Sequence, residues 1–263
     1  MKARYLRLLA VQLRASLLLG MQYRADFVLD ALVEVFWMAT AIVPLLVVYD
    51  VRSTVAGWSR GEALLVMGWF TFLQGVLEGA ISPGLATVVE HIRKGTLDFV
   101  LVKPADAQFL VSTARLHPWR AVNVLTALAI FAWGFRLLGR APTLSNVATA
   151  VVALFASVSV LYALWMLTVS AAFYVVRIDN LSQLFSAIFD AARWPVDVFR
   201  GAVWVMFTFV VPLALMTTYP AEALLGRLAA GTLAGALAGG VAALTLSRAV
   251  WLASIRRYTS AGG

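Results

Sequence analysis

Long apolar runs alternate with short polar intervals along the chain. The runs predict membrane helices at 27–49, 61–81, 119–138, 144–176 and 224–251, each near or above the ~20 residues a bilayer needs. Residues 2–24 carry a different pattern. Leu6, Leu9, Ala10, Leu13 and Leu17 share one face at about 100° per residue, with Arg4, Arg7 and Arg14 gathered along its edge. That arrangement predicts a helix lying in the interface with its arginines toward anionic headgroups. Residues 177–220 are ambiguous. On hydropathy alone 202–218 is the fifth span and 177–200 is a loop.

The polar interval 83–118 separates two apolar regions and holds both His91 and His117. Inside it, 88–94 reads as a helix that Gly95 ends as a C-cap glycine. Thr96 is placed to cap a second short turn, Thr96-Leu97-Asp98-Phe99-Val100-Leu101, which stops before Lys103-Pro104 because the residue before proline is biased away from helix. Leu97, Phe99 and Leu101 would offer apolar contacts, with Asp98 and Lys103 as polar ones. The plainer reading of the interval is a solvated loop.

Composition fixes the class. The chain is 62% hydrophobic and 13% charged, with mean hydropathy +0.88, values of an integral membrane protein. The net charge is +8. The basic residues sit at the ends of apolar runs and not in one block interleaved with aromatics, which points to headgroup anchoring and excludes a nucleic-acid partner. There is no cysteine, hence no disulfide or thiolate chemistry. The first run, interrupted by Arg7 and Arg14, lacks a convincing cleavage region and is not expected to be a signal peptide.

Within the spans a few positions carry possible chemistry. Asp26, Asp30 and Glu34 recur every four residues on one face, and Gln74 and Glu78 lie one turn apart. Intramembrane carboxylates face protein or water. Glu34, Gln74 and Glu78 are therefore candidates for a translocation path or subunit interface, the alternative being local pairing with an arginine such as Arg24 or a place at the membrane edge. Gly231, Gly235 and Gly239 repeat every four residues and form a small-residue face for helix packing, within the chain or with another. No Cys or carboxylate cluster accompanies the histidines, so no metal site is expected.

Arg93-Lys94-Gly95-Thr96-Leu97-Asp98, followed by Leu101, Lys103-Pro104 and Asp106, resembles the loop after the second membrane helix in the ABC-2 type permeases of ATP-binding-cassette exporters. The resemblance extends over nearly the whole chain. It implies a coupling helix at Gly95–Pro104 that docks on a separate ATP-hydrolysing subunit, and permeases working in pairs. It also implies a fifth span opened by Arg177-x-Asp179 and closed at Trp194-Pro195, then a re-entrant helical hairpin over 197–220 with Tyr219-Pro220-Ala221 as its landmark.

The expectation is thus an all-α integral membrane protein with six transmembrane helices, an interfacial N-terminal helix, a cytoplasmic coupling helix and a re-entrant hairpin before the last span, forming a single transmembrane domain over 1–263. With both termini and the 83–118 loop in the cytoplasm, twice as many Lys and Arg fall inside as outside, the sign the positive-inside rule requires for an inner-membrane protein. No Gly-x-x-x-x-Gly-Lys-Ser/Thr loop occurs, so the chain is expected to have no ATPase site and no cofactor of its own. ATP and Mg would be bound by the partner. A non-transporting membrane scaffold and an intramembrane enzyme acting on lipid are the competing readings.

Overall fold

The computed structural model describes residues 2–22, 24–174 and 179–258, without the side chains of 2–3, 21–22, 24–28, 30 and 179–182. Arg177, the first landmark of the expected fifth span, and the side chains of Asp26 and Asp30 lie outside the described residues. Among those described, five helices are long and apolar enough to cross a membrane: Ala31–Val51, Arg60–Arg93, Pro118–Leu138, Leu144–Phe173 and Ala230–Ile255. A bent pair, Ala202–Val210 and Ala214–Leu225, meets at 66° and would make a sixth if it counts as one broken span.

The first helix, α1 (Lys2–Gln22), turns Tyr5, Leu8, Gln12 and Ser16 toward the rest of the chain. The neighbouring apolar face, Leu6, Leu9, Leu13 and Leu17, is exposed. The next, α2 (Arg24–Val51), carries Pro44 inside it. The polar interval between the first two predicted spans contains a tight hairpin, β1 (Thr54–Val55) paired antiparallel with β2 (Trp58–Ser59). Ala56 and Gly57 both have positive φ, the type I′ geometry that matches strand twist. Ser59 then caps α3 (Arg60–Val76) through a reciprocal capping box with Glu62.

The second span does not stop at Ile81. A π turn at Leu77–Ile81 joins α3 to α4 (Ser82–Arg93), so one helix runs continuously to Arg93 and absorbs the separate helix expected at 88–94. Pro83 is tolerated because it falls in the first turn after that joint, where its missing N–H costs little. Short helices α5 (Asp98–Leu101) and α6 (Ala107–Ser112) come next. A 3₁₀ turn at Pro118–Arg120 leads into α7 (Ala121–Leu138), which Gly139 ends in the left-handed region. Thr143 caps α8 (Leu144–Ser170).

Neither reading of 177–220 matches a single full-length helix. The next helix, α9 (Asp179–Asp190), has 12 residues, about 18 Å at 1.5 Å per residue, short of the ~30 Å hydrocarbon core. It continues through a 3₁₀ turn and Pro195 to Asp197, whose carboxylate accepts from Trp58 Nε1 at 2.9 Å. Then come α10 (Ala202–Val205), π turns at Met206–Val210 and Ala214–Thr218, and α11 (Tyr219–Leu225). Leu224 O accepts from Asn146, and Arg227 pairs with Glu62 at 2.8 Å. Asp197 and Arg227 therefore both sit at the hairpin end of the bundle. The last helix, α12 (Ala230–Ile255), begins later than the 224 expected because Gly226 breaks the chain in the left-handed region.

In lipid no hydrophobic force drives helices together, so close approach of backbones matters. Gly61, Gly68 and Gly75, seven apart on α3, face α7: an added Cβ at Gly68 would meet the Phe131 ring at 2.5 Å, and one at Gly134 would meet Gly61 O at 2.9 Å. By contrast an added Cβ at Gly231 or Gly235 meets nothing within 4 Å. The glycine seam inside the chain is on α3, not at 231–239. Gly134→Val should destabilise the detergent-solubilised protein by about 1–3 kcal/mol through overpacking against backbone. Gly235→Ala should leave the thermal midpoint unchanged or raise it, since helix propensity favours Ala by up to about 1 kcal/mol.

Candidate functional site

Three helices bring together the polar residues singled out in the spans. Glu34 on α2, Gln74 on α3 and Glu78 in the π turn converge on Arg120, at the start of α7. Arg120 Nη1 lies 2.5 Å from Glu34 Oε2 and 2.8 Å from Glu78 Oε2. Asn123 donates to Glu34 Oε1 at 3.1 Å, and Gln74 to Glu78 Oε1 at 3.3 Å. The Glu34 side chain is only 17% exposed. Sequence reading finds the carboxylates and the amide but gives Arg120 no role; its place just inside the predicted span 119–138 is the available signal.

The cluster borders a cavity of about 350 Å³ between α2, α3 and the end of α9. Glu34, Trp37, Phe70, Gln74, Asp190 and Arg193 are among its lining residues. Arg193 is held by Asp190 at 3.1 Å, and its guanidinium lies 5.3 Å from the centroid of the Phe70 ring. A second groove, about 610 Å³, has Gly235 and Gly239 on its wall with α8 and the 208–219 stretch opposite.

At the other end of α4 the chain turns sharply. Gly95 takes φ +64°, Gly95 N donates to Ile92 O and Thr96 N to His91 O at 2.9 Å, a Schellman turn. The Thr96 hydroxyl does not cap α5 as expected; it lies 2.7 Å from His91 Nδ1. Leu97 is completely buried and Val100 nearly so, while Phe99 is 71% and Val102 79% exposed. Residues 97, 99 and 101 do not share a face at helical period. The apolar pair facing outward is Phe99 and Val102, with exposed Lys103 and Pro104 beside them. Asp98 and Leu101 are half-buried.

Asp106 anchors the segment beyond α5. It caps α6, accepting from Phe109 N, and receives Arg248 of α12 at 2.5 and 3.2 Å. Arg248 also donates to Gln108, which donates to Tyr162 of α8 at 3.0 Å. Tyr5 OH accepts from Asp106 N, and Arg4 reaches Pro104 O. Burial pushes the Asp106 carboxyl up, but hydrogen bonds from Arg248 and Phe109, with the Arg248 charge, outweigh it and hold the group below its ordinary 3.8.

Gly57-Trp58-Ser59-Arg60-Gly61 spells a nucleophile-elbow pattern that sequence reading overlooked. Ser59 is a helix cap bonded to Glu62, with ordinary extended φ, and both histidines lie at the opposite end of the bundle, so no triad forms there. No group of three or more metal-ligating side chains occurs among the described residues.

A family model described as "ABC-2 family transporter protein" matches residues 35–262. No curated protein and no solved structure matches the chain.

Two outcomes test this geometry. Arg120→Met leaves Glu34 and Glu78 uncompensated and should cost about 3–5 kcal/mol of stability, more than either Glu→Gln change, in thermal unfolding in detergent. For Asp106 the folded pKa lies below the unfolded one, so its stabilising contribution is present above 3.8 and is lost as pH falls through the folded value. Asp106→Asn should therefore flatten the acid-side loss of thermal midpoint relative to wild type.

Proposed function

The chain belongs to the ABC-2 family of transporter proteins, and from that premise we propose that it is the membrane-spanning permease subunit of an exporter driven by separate ATP-binding-cassette subunits. ATP and Mg are bound by those subunits. A second permease, the same chain or a related one, completes the assembly, with membrane lipids around it. The observation that carries the coupling role is the outward pair Phe99 and Val102 on α5. Leu97 and Val100 root that helix in the core, and Gly95 and Pro104 bound it, so it can move as one piece.

In this reading the α5 end and both termini face the cytoplasm, where basic residues are in excess. The exposed leucine face of α1, with exposed Arg7 and Arg14 beside it, supports its lying in the interface. Asp197 and Arg227, both at the hairpin end, support a stretch that enters from and returns to the outer face. Glu34, Gln74 and Glu78 lie on or beside the substrate path. Gly231 and Gly235, where an added Cβ meets nothing within 4 Å, remain free to meet lipid or another helix, while one at Gly239 would stand 3.7 Å from Leu215 Cδ1.

Co-purification with the cognate ATPase subunit tests the proposal. Phe99→Ala/Val102→Ala should weaken that association by about 1–3 kcal/mol per well-buried anchor while leaving the permease's thermal midpoint unchanged. Leu97→Ala should instead destabilise the permease itself, by about 2–5 kcal/mol. Full binding and coupling in the Phe99/Val102 double mutant would reduce α5 to a solvated turn.

A further inference from the structure

The cavity beside Arg120 has an unbalanced charge. Glu34, Glu78 and Asp190 bring three carboxylates, against two guanidinium groups from Arg120 and Arg193. These are the charged groups facing the cluster from α2, the π turn, α7 and the end of α9, among the described residues. On the cavity's own lining two carboxylates, Glu34 and Asp190, face one guanidinium, Arg193, and an acidic wall calls for a positive ligand. Behind that wall the cluster leaves one acceptor, Asn123 Oδ1, and one donor, Arg120 Nε, without hydrogen-bond partners among the described residues.

The cavity wall already holds one cation in a specific way. Arg193 lies between the Asp190 carboxylate, at 3.1 Å, and the Phe70 ring face. Glu34 and Trp37, three apart on α2 and therefore on one face, place the same combination of carboxylate and aromatic ring on the facing wall. Trp37 is 62% exposed, and no guanidinium stacks on it among the described residues. A volume of about 350 Å³ suits a small organic molecule.

We infer that this cavity takes a monovalent organic cation with an apolar body, its charge against Glu34 and its apolar part against Trp37. The inference rests on the permease reading for its meaning as substrate recognition, but the binding itself requires only this chain.

The test is titration of the purified full chain in detergent with tetraphenylphosphonium, and with tetraphenylborate, an anion of nearly the same shape, read by tryptophan fluorescence and equilibrium dialysis. Saturable binding of the phosphonium is expected, at least roughly tenfold tighter than the borate. Glu34→Gln should weaken it roughly tenfold, and Trp37→Leu, at an exposed position that the fold does not depend on, roughly fivefold. Equal or tighter binding of the borate overturns the charge assignment. Phosphonium binding unchanged in Trp37→Leu means partition into detergent and overturns the site. Either failure leaves association with an ATPase subunit untouched, and loss of that association would leave the cation titration untouched.

Discussion

Arg120 joins the three helices on which the loop end of the bundle is built. Its guanidinium takes Glu34 from α2 and Glu78 from the π turn after α3, while its own backbone opens α7. Burying such charges costs several kcal/mol per ion, recovered only with good geometry and further hydrogen bonds. Both conditions depend on neighbouring small residues. An added Cβ at Gly75 would stand 2.8 Å from Asn123 Cβ, and one at Gly79 would stand 3.1 Å from Arg120 Cβ, so α3 comes close enough to α7 only because those positions are bare. The π turn supplies the rest, since its extra residue sets the angle at which Glu78 leaves the helix. Such turns concentrate at functional sites.

What could be read in advance was what is local. Hydropathy located the five long helices, because an apolar run of span length has few alternatives in water or lipid, but it ended the second well short of Arg93 and began the last ahead of Ala230. Gly95 was legible as a helix stop because only a left-handed residue closes that turn. The failures share one cause, dependence on residues distant in sequence or on helical phase in a very short helix. Leu97, expected as an outward contact, goes to the core and Val102 comes to the surface once α5 is wound at 3.6 residues per turn. The glycines that matter for internal packing are those with a partner opposite, and Gly61 acquires one only when Gly134 is brought to it. Arg120 gave a charge but no hint of which of several carboxylates would claim it. The break at Gly226 looked like the interior of an apolar run, since hydropathy does not register backbone conformation.

The two ends of the molecule are tied differently. At the hairpin end, Trp58 carries Asp197 on its indole N–H and Arg227 on its ring, and Glu62 holds Arg227. The returning chain on both sides of 198–226 is thus fastened to one two-stranded turn. Between those points the backbone is irregular, with two π turns and a break at 211–213. At the loop end the fastening is a relay: Asp106 to Arg248 of α12, Gln108 and Ser112 to Tyr162 of α8.

These attachments decide how a push at α5 would spread. A rigid helix from Gly95 back to Arg60 carries displacement along α4 and α3, and the joint in that rod is the π turn, where Glu78 meets Arg120. The relay through Asp106 carries the same displacement to α8 and α12, which pack on each other where Gly240 meets Ala156 at 3.3 Å from its would-be Cβ. One input at the loop end thereby reaches two helix pairs, α3 with α7 and α8 with α12. The 206–218 stretch lies against α8, with Ser157 donating to Leu215 O, and is tied to the 192–196 turn by Thr217 and Thr218. Relative motion of the two pairs would be taken up where the backbone is already irregular, on the wall of the groove that Gly235 and Gly239 line.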